Sequence, residues 1–269
     1  MADIQTASLQ WLRDRAADLL VCLRFCTLVP IPTFSFEKPA EEASLSAAAN
    51  MLPVAGAIIG AVAAILLCIF VKLGLPASLA ALLAVAALIV LTGAMHEDGL
   101  ADFSDALGGA TPEQRLAIMK DSRIGSFGSL ALVIFVFGRV ISIAMLAEHS
   151  LGLASAVLIS AAASSRAFAL IPLHLLAPAR ADGLGAASGG AKQSDLAVAG
   201  IAILIFSLIP LFAGAGLGRV ILALIVSAAA AYGVTLLARK LLNGQTGDVA
   251  GATQQCAELA SYLVFTTHL

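Results

Sequence analysis

Six stretches of this chain run almost free of charge: Pro53 to Val71, Pro76 to Met95, Gly128 to Ala147, Gly152 to Ala177, Leu196 to Leu217 and Val220 to Ala238. A helix needs about 20 mostly apolar residues to cross a bilayer core, where no water is available to satisfy the backbone. Each of the six meets that length. A seventh stretch, Cys256 to Leu269, is apolar but shorter, and reads either as a last span or as a helix lying against the others. Overall, 60% of the residues are hydrophobic and 12% charged, against about 45–50% and about 25% in a soluble domain. Such a chain cannot cover its own surface with polar groups. The fold expected is all-α: a polytopic integral membrane bundle of six to seven transmembrane helices plus an N-terminal amphipathic helix, with residues 1–269 forming one domain. No internal repeat divides it.

Within residues 1–32, Leu9, Leu12, Ala16, Leu19, Leu20 and Leu23 recur at helical spacing, with Arg13, Asp14, Arg15 and Asp18 largely between them. This amphipathic helix either packs on the bundle or lies in the membrane interface, and Pro30 and Pro32 stop it. Met1 to Gln10 lacks the basic start and cleavage site of a signal peptide, so the N-terminus is expected to be retained. Cys22, Cys26, Cys68 and Cys256 have no metal-binding spacing and read as small buried hydrophobes. With a formal net charge of -2, no basic excess is available for a nucleic acid.

The connections alternate in length. Those at 96–127, 178–195 and 239–255 are long and polar; the others are short. Of the fifteen basic residues, only Lys72 and Arg219 fall on the side of the short connections, while Arg139 and Arg166 lie inside spans. The positive-inside rule then puts the N-terminus and the long connections in the cytoplasm, in a multi-pass protein of the cell inner membrane.

The connection at 96–127 carries the densest chemistry. Asp98, Asp102 and Asp105 are spaced i, i+4, i+7, which places three carboxylates on one helical face. Such a stack repels itself unless a cation sits among it, and oxygen-only ligands suit Mg²⁺; the alternative is a solvated acidic loop. Farther on, Lys120, Ser122 and Arg123 precede Gly125 and Gly128. This is the composition of a phosphate-binding loop, or of a cytoplasmic anchor before a span. Carboxylates for an ion and cations for phosphates within one connection are what metal-assisted phosphoryl transfer requires. Arg166, mid-span after Ser164 and Ser165, either reaches a substrate phosphate or pairs with a carboxylate; Arg139 has no evident partner. Asp182-Gly183-Leu184-Gly185 with Ser188-Gly189-Gly190 is either a closing loop or an ordinary turn. Thr246-Gly247-Asp248 is a helix start with Asp248 as cap, or one more metal carboxylate.

In order along the chain, Arg24-Phe25-Cys26-Thr27-Leu28-Val29-Pro30-Ile31-Pro32, the His96 to Gly109 segment, the Met119 to Gly128 segment and Thr246-Gly247-Asp248 resemble the cobalamin synthase family, the adenosylcobinamide-GDP ribazoletransferases. The resemblance implies a membrane enzyme that uses Mg²⁺ to join adenosylcobinamide-GDP to α-ribazole or its 5'-phosphate, releasing GMP. It implies acidic site positions at Glu97, Asp98, Asp102, Asp105 and Asp248, and basic ones at Lys120, Arg123 and Arg166. Asp98, Asp102 and Asp105 would hold the metal, with Lys120, Ser122, Arg123 and Arg166 on the substrate and Glu97 or Asp248 positioning the attacking hydroxyl. The acidic segment also resembles the aspartate-rich motif of CDP-alcohol phosphotransferases. A phospholipid head-group transferase and a transporter are the competing readings, and assembly into a homo-oligomer is left open. Two departures stand out: Ala106 replaces a family glycine after Asp105, and Gln255 stands where a Glu is expected.

Overall fold

Glycine and alanine decide how closely the helices of this bundle approach. The computed structural model describes residues 2–37, 45–180 and 193–267; the glycine-rich Asp182 to Gly190 loop, Lys38, Lys192 and Leu269 lie outside the described residues. The helices, in chain order, are α1 (Ala2–Cys26), α2 (Leu45–Ala48), α3 (Leu52–Lys72), α4 (Ala77–Thr92), α5 (Met95–Asp105), α6 (Pro112–Ile118), α7 (Ser126–His149), α8 (Leu151–Phe168), α9 (Leu170–Leu175), α10 (Gln193–Ser207), α11 (Ile209–Phe212), α12 (Leu217–Leu242) and α13 (Gly247–Thr266). Among the described residues the only β pairing is a single bridge between Pro178 and Gln245.

The centre of the bundle is α8, whose run of Ala161, Ala162, Ala163, Ser164 and Ser165 is buried throughout. Against it lies α3, presenting Gly56 and Gly60. A Cβ on Gly60 would stand 2.6 Å from the Leu158 carbonyl oxygen, and one on Gly56 would collide with the Ala162 carbonyl. In a bilayer, where lipid is as apolar as leucine, close backbone contact of this kind is what drives helices together. Gly60→Val is therefore expected to cost about 1–3 kcal/mol of stability, read as a lowered thermal midpoint in detergent; an unchanged midpoint would mean the two helices can separate freely.

Four stretches among the described residues are long and apolar enough to cross a membrane: Leu45–Lys72, Ser126–His149, Leu151–Leu175 and Leu217–Leu242. A bent pair, α4 with Met95–Gly108, makes a fifth if counted as one span. Of the six to seven spans expected from the sequence, four or five among the described residues meet the test of length and composition, and three local features account for the rest. The expected Pro76 to Met95 span is interrupted at Gly93 and Ala94, both left-handed with φ of 63° and 55°, and the chain turns by 88° into α5. The Leu196 to Leu217 stretch forms a shorter apolar helix, Ala197–Phe212, interrupted near Leu208. The final apolar segment belongs to α13, which is buried on most sides and carries Gln254, Gln255 and Glu258 into the protein interior.

The membrane face of α7 is a stripe of exposed Leu130, Val133, Ile134, Phe137 and Ile141, while Arg139, Ser142, Ile143 and Leu146 are buried on its other side. The second half of α1 packs, with Ala17, Cys22 and Cys26 buried, whereas Leu9, Trp11 and Leu12 stay exposed. All four cysteines are free thiols.

Candidate active site

The acidic helix α5 and the N-terminal turn of α13 meet glycine to glycine. Gly99 and Gly251 face each other, and a Cβ on Gly99 would stand 3.0 Å from both the Cα and the carbonyl oxygen of Asp248. This crossing brings Asp98, Asp102 and Asp105 of one helix beside Asp248 of the other. Gly99→Ala should push the helices apart, lowering kcat by about ten- to a hundredfold together with a lowered thermal midpoint; full activity would show that the spacing is not critical.

The carboxylates are crowded. Asp98 is exposed and Asp102, Asp105 and Asp248 are half-buried. The Asp102 carboxyl is pushed from an ordinary 3.8 up to about 7, first by burial and then by Asp98, Asp248 and Asp105. Burial likewise raises Asp248, against the pull of Arg180 and Thr246. Acids that resist losing their protons in this way are a site short of positive charge.

Asp105 has a defined task. Its two oxygens accept the backbone N–H groups of Gly125 and Gly128 at 2.7 and 2.8 Å, holding the N-terminus of α7. Any Cβ at either glycine would strike that carboxylate. The 119–128 segment is thereby tied to the acidic helix, which accounts for the glycines. Lys120, Ser122 and Arg123 are exposed at its surface, and Arg123 is paired with Asp121 at 2.6 Å.

Thr246, not Asp248, caps α13: its hydroxyl accepts the Val249 N–H at 3.3 Å. Asp248 sits in the first turn, 3.4 Å from Arg180. Arg180 is a site residue that sequence reasoning missed. It is placed by the Ala177–Ala179 strip, which exchanges two backbone bonds of 2.9 Å with Gln245. Gly244 makes the approach possible, since a Cβ there would stand 2.6 Å from the Ala177 carbonyl oxygen.

Glu97 does not join the acidic face. It points inward, 2.6 Å from Arg139, in a buried network. Arg139 also donates to Gln255 at 3.3 Å and lies 3.9 Å from Glu258. Glu258 accepts from Tyr262 at 2.7 Å and from Gln254, which also reaches Ser165 at 3.0 Å. At Gln255, where a Glu was expected, the amide serves the same arginine whose second carboxylate comes from Glu258. Arg166 is buried too, donating to the Ala162 carbonyl at 3.0 Å and lying against the Cys26 thiol, while its Nε has no hydrogen-bond partner among the described residues.

A cavity of about 230 Å³ opens beside Asp98 and Asp248, walled by the end of α1, α5, α8 and α9. The Arg24 segment builds its rim. The Arg24 guanidinium grips Glu37 at 2.5 and 2.9 Å and the Ile31 carbonyl at 3.0 Å, folding the chain back and fixing Phe25 and Cys26 in the wall.

Among the described residues no group of three or more His, Cys, Asp or Glu is assembled as a metal cage. Magnesium characteristically uses one or two carboxylates and completes its shell with water and substrate phosphates, so crowded acids without a closed cage fit it.

A family model described as cobalamin-5-phosphate synthase matches residues 18–266. The adenosylcobinamide-GDP ribazoletransferase of Azorhizobium caulinodans is 43% identical over 250 residues, covering 91% of this chain and 93% of its own length. Proteins of the same name from Xanthobacter autotrophicus and Rhizobium johnstonii are 44% identical over 255 residues and 38% identical over 266 residues. They cover 93% and 96% of this chain, and 96% and 99% of their own lengths. No solved structure matches. With its four motifs gathered around one acidic helix and the match running nearly end to end, this chain belongs to the cobalamin-5-phosphate synthase family, a family of membrane transferases.

Proposed function

We propose that the protein joins adenosylcobinamide-GDP to α-ribazole or its 5'-phosphate in a Mg²⁺-dependent reaction, with its acidic helix at the cytoplasmic face of the inner membrane. The observation that carries this reading is the convergence of Asp98, Asp102 and Asp248 from two helices, next to a cavity and two buried or half-buried arginines. A ribose hydroxyl of the acceptor forms a new O–P bond at the phosphorus nearer cobinamide. The bond from that phosphorus to the bridging oxygen breaks, and GMP leaves with the bridging oxygen.

Asp98 and Asp102 would hold the ion. Mg²⁺ bound there would offset the negative charge of the diphosphate and of the departing GMP. Asp248, made more basic by burial, is placed to receive the hydroxyl proton. Arg180 keeps Asp248 in position. Asp105 holds the 119–128 loop, whose Lys120 and Arg123 lie at the surface for the guanosine-side phosphate.

Purified protein in lipid, given adenosylcobinamide-GDP, α-ribazole and Mg²⁺, should form a cobamide and GMP in equal amounts, and chelation should stop it. A preparation that retains its fold but gives no product under these conditions would sink the proposal. Incorporation of an alcohol into lipid from CDP-diacylglycerol would replace it with phospholipid synthesis.

A further inference from the structure

The cavity beside the acidic face is two-sided in character. Phe25, Leu52, Leu170 and Leu173 give it apolar walls, while Asp98 and Asp248 stand on its open side. Arg166, only 4% exposed, is among its lining residues, and its Nε–H has no hydrogen-bond partner among the described residues. A buried N–H left without an acceptor is unfavourable, and a ligand atom that accepts from it relieves the cost. The cavity therefore calls for a flat, largely apolar group with an acceptor atom for Arg166 and a hydroxylated portion at its mouth.

Building on the proposed reaction, we infer that this cavity seats the base of the acceptor nucleoside: a benzimidazole lies between Phe25 and the leucines, its free ring nitrogen accepts from Arg166, and its ribose emerges at Asp98 and Asp248. The apolar walls favour this occupant. A space of about 230 Å³ takes a fused bicyclic base but not a corrin ring. The guanine of the donor would also fit by size and could pair with Asp98, Asp248 and Arg166 of the same cavity; a benzimidazole has a single ring nitrogen to satisfy and leaves both carboxylates to the ribose.

The placement also orders the reaction. Asp102 lies one helical turn beyond Asp98, and Asp105 nearly another turn on, holding the 119–128 loop. A ribose hydroxyl at the mouth of the cavity thus meets a diphosphate laid along the acidic face from the loop side. Acceptor and donor would then approach Asp98 and Asp102 from opposite ends of α5.

The test uses full-length protein in lipid nanodiscs, with α-ribazole binding followed by its base fluorescence and both substrates varied in steady-state kinetics. Leu173→Phe narrows the cavity and should raise the Kd and KM for α-ribazole by about tenfold or more, leaving the KM for adenosylcobinamide-GDP within about twofold. Leu173→Ala should accept an acceptor with a wider base that the unaltered protein rejects. Arg166→Met should weaken α-ribazole binding without weakening donor binding. A shift confined to the donor KM, displacement of bound α-ribazole by GMP alone, or an unchanged α-ribazole Kd in Leu173→Phe would overturn the inference. Binding of α-ribazole that follows these variants without any product would instead retire the proposed reaction and leave the pocket standing.

Discussion

Asp102→Asn is expected to abolish turnover while leaving the fold as stable as before or more so. The loss follows from its place: Asp102 is the carboxylate that Asp98, Asp105 and Asp248 all press upon, so it gains most from a bound cation. Removing an electrostatic group aimed at the transferring phosphate costs on the order of a hundredfold or more in kcat. The stability sign is opposite. The folded-state pKa of Asp102 is raised from 3.8 to about 7, so the folded metal-free protein holds this proton more tightly than the unfolded chain. Stability from this group is present below about pH 4 and is lost as pH rises towards 7. Asn carries no such charge. The variant's thermal midpoint in a chelator should fall less between pH 4 and 7 than that of the unaltered protein. Near-normal turnover would remove Asp102 from the ion site; a lowered midpoint at neutral pH would contradict the crowding.

The second large effect is expected at Arg139, on the opposite side of the acidic helix. Arg139→Ala would leave Glu97 and Glu258 buried together with no cation between them. Breaking a buried ion pair from one side costs about 3–5 kcal/mol, whereas replacing the pair by neutral groups of similar size is far milder. Unfolding in detergent should show this loss for Arg139→Ala and a partial recovery in Arg139→Met with Glu97→Gln and Glu258→Gln. Turnover should fall in the alanine variant too, since Glu97 holds α5 and with it Asp98 and Asp102. A loss below about 1 kcal/mol would match an exposed pair and show that the network does not anchor the helix.

These two residues illustrate where the sequence was readable. The i, i+4, i+7 spacing put Asp98, Asp102 and Asp105 on one face because helical geometry is local, and that face is present. Glu97 is one position away, about 100° around the helix, and so points into the bundle instead. Nothing local distinguishes its carboxylate from that of Asp98. Its partner Arg139 is forty-two residues distant, and the second carboxylate, Glu258, lies in what read as a plain apolar tail. Arg180 was invisible for the same reason, since it is brought to Asp248 by a backbone pairing between two connections. Length and hydropathy likewise do not reveal the break at Gly93 and Ala94, a left-handed pair that turns the chain where the apolar pattern continues.

The sequence by itself determined that the chain is helical and built for a membrane, that its polar chemistry sits in a few connections, and which motifs carry the family. Those are consequences of composition and of short-range periodicity. The tertiary structure decided which acids face substrate and which hold the bundle together, what Asp105 and Gly99 are for, and where a ligand can enter. Each of these depends on helices distant in sequence approaching closely enough for glycine to matter, and such contacts leave no mark on the spacing of residues along the chain.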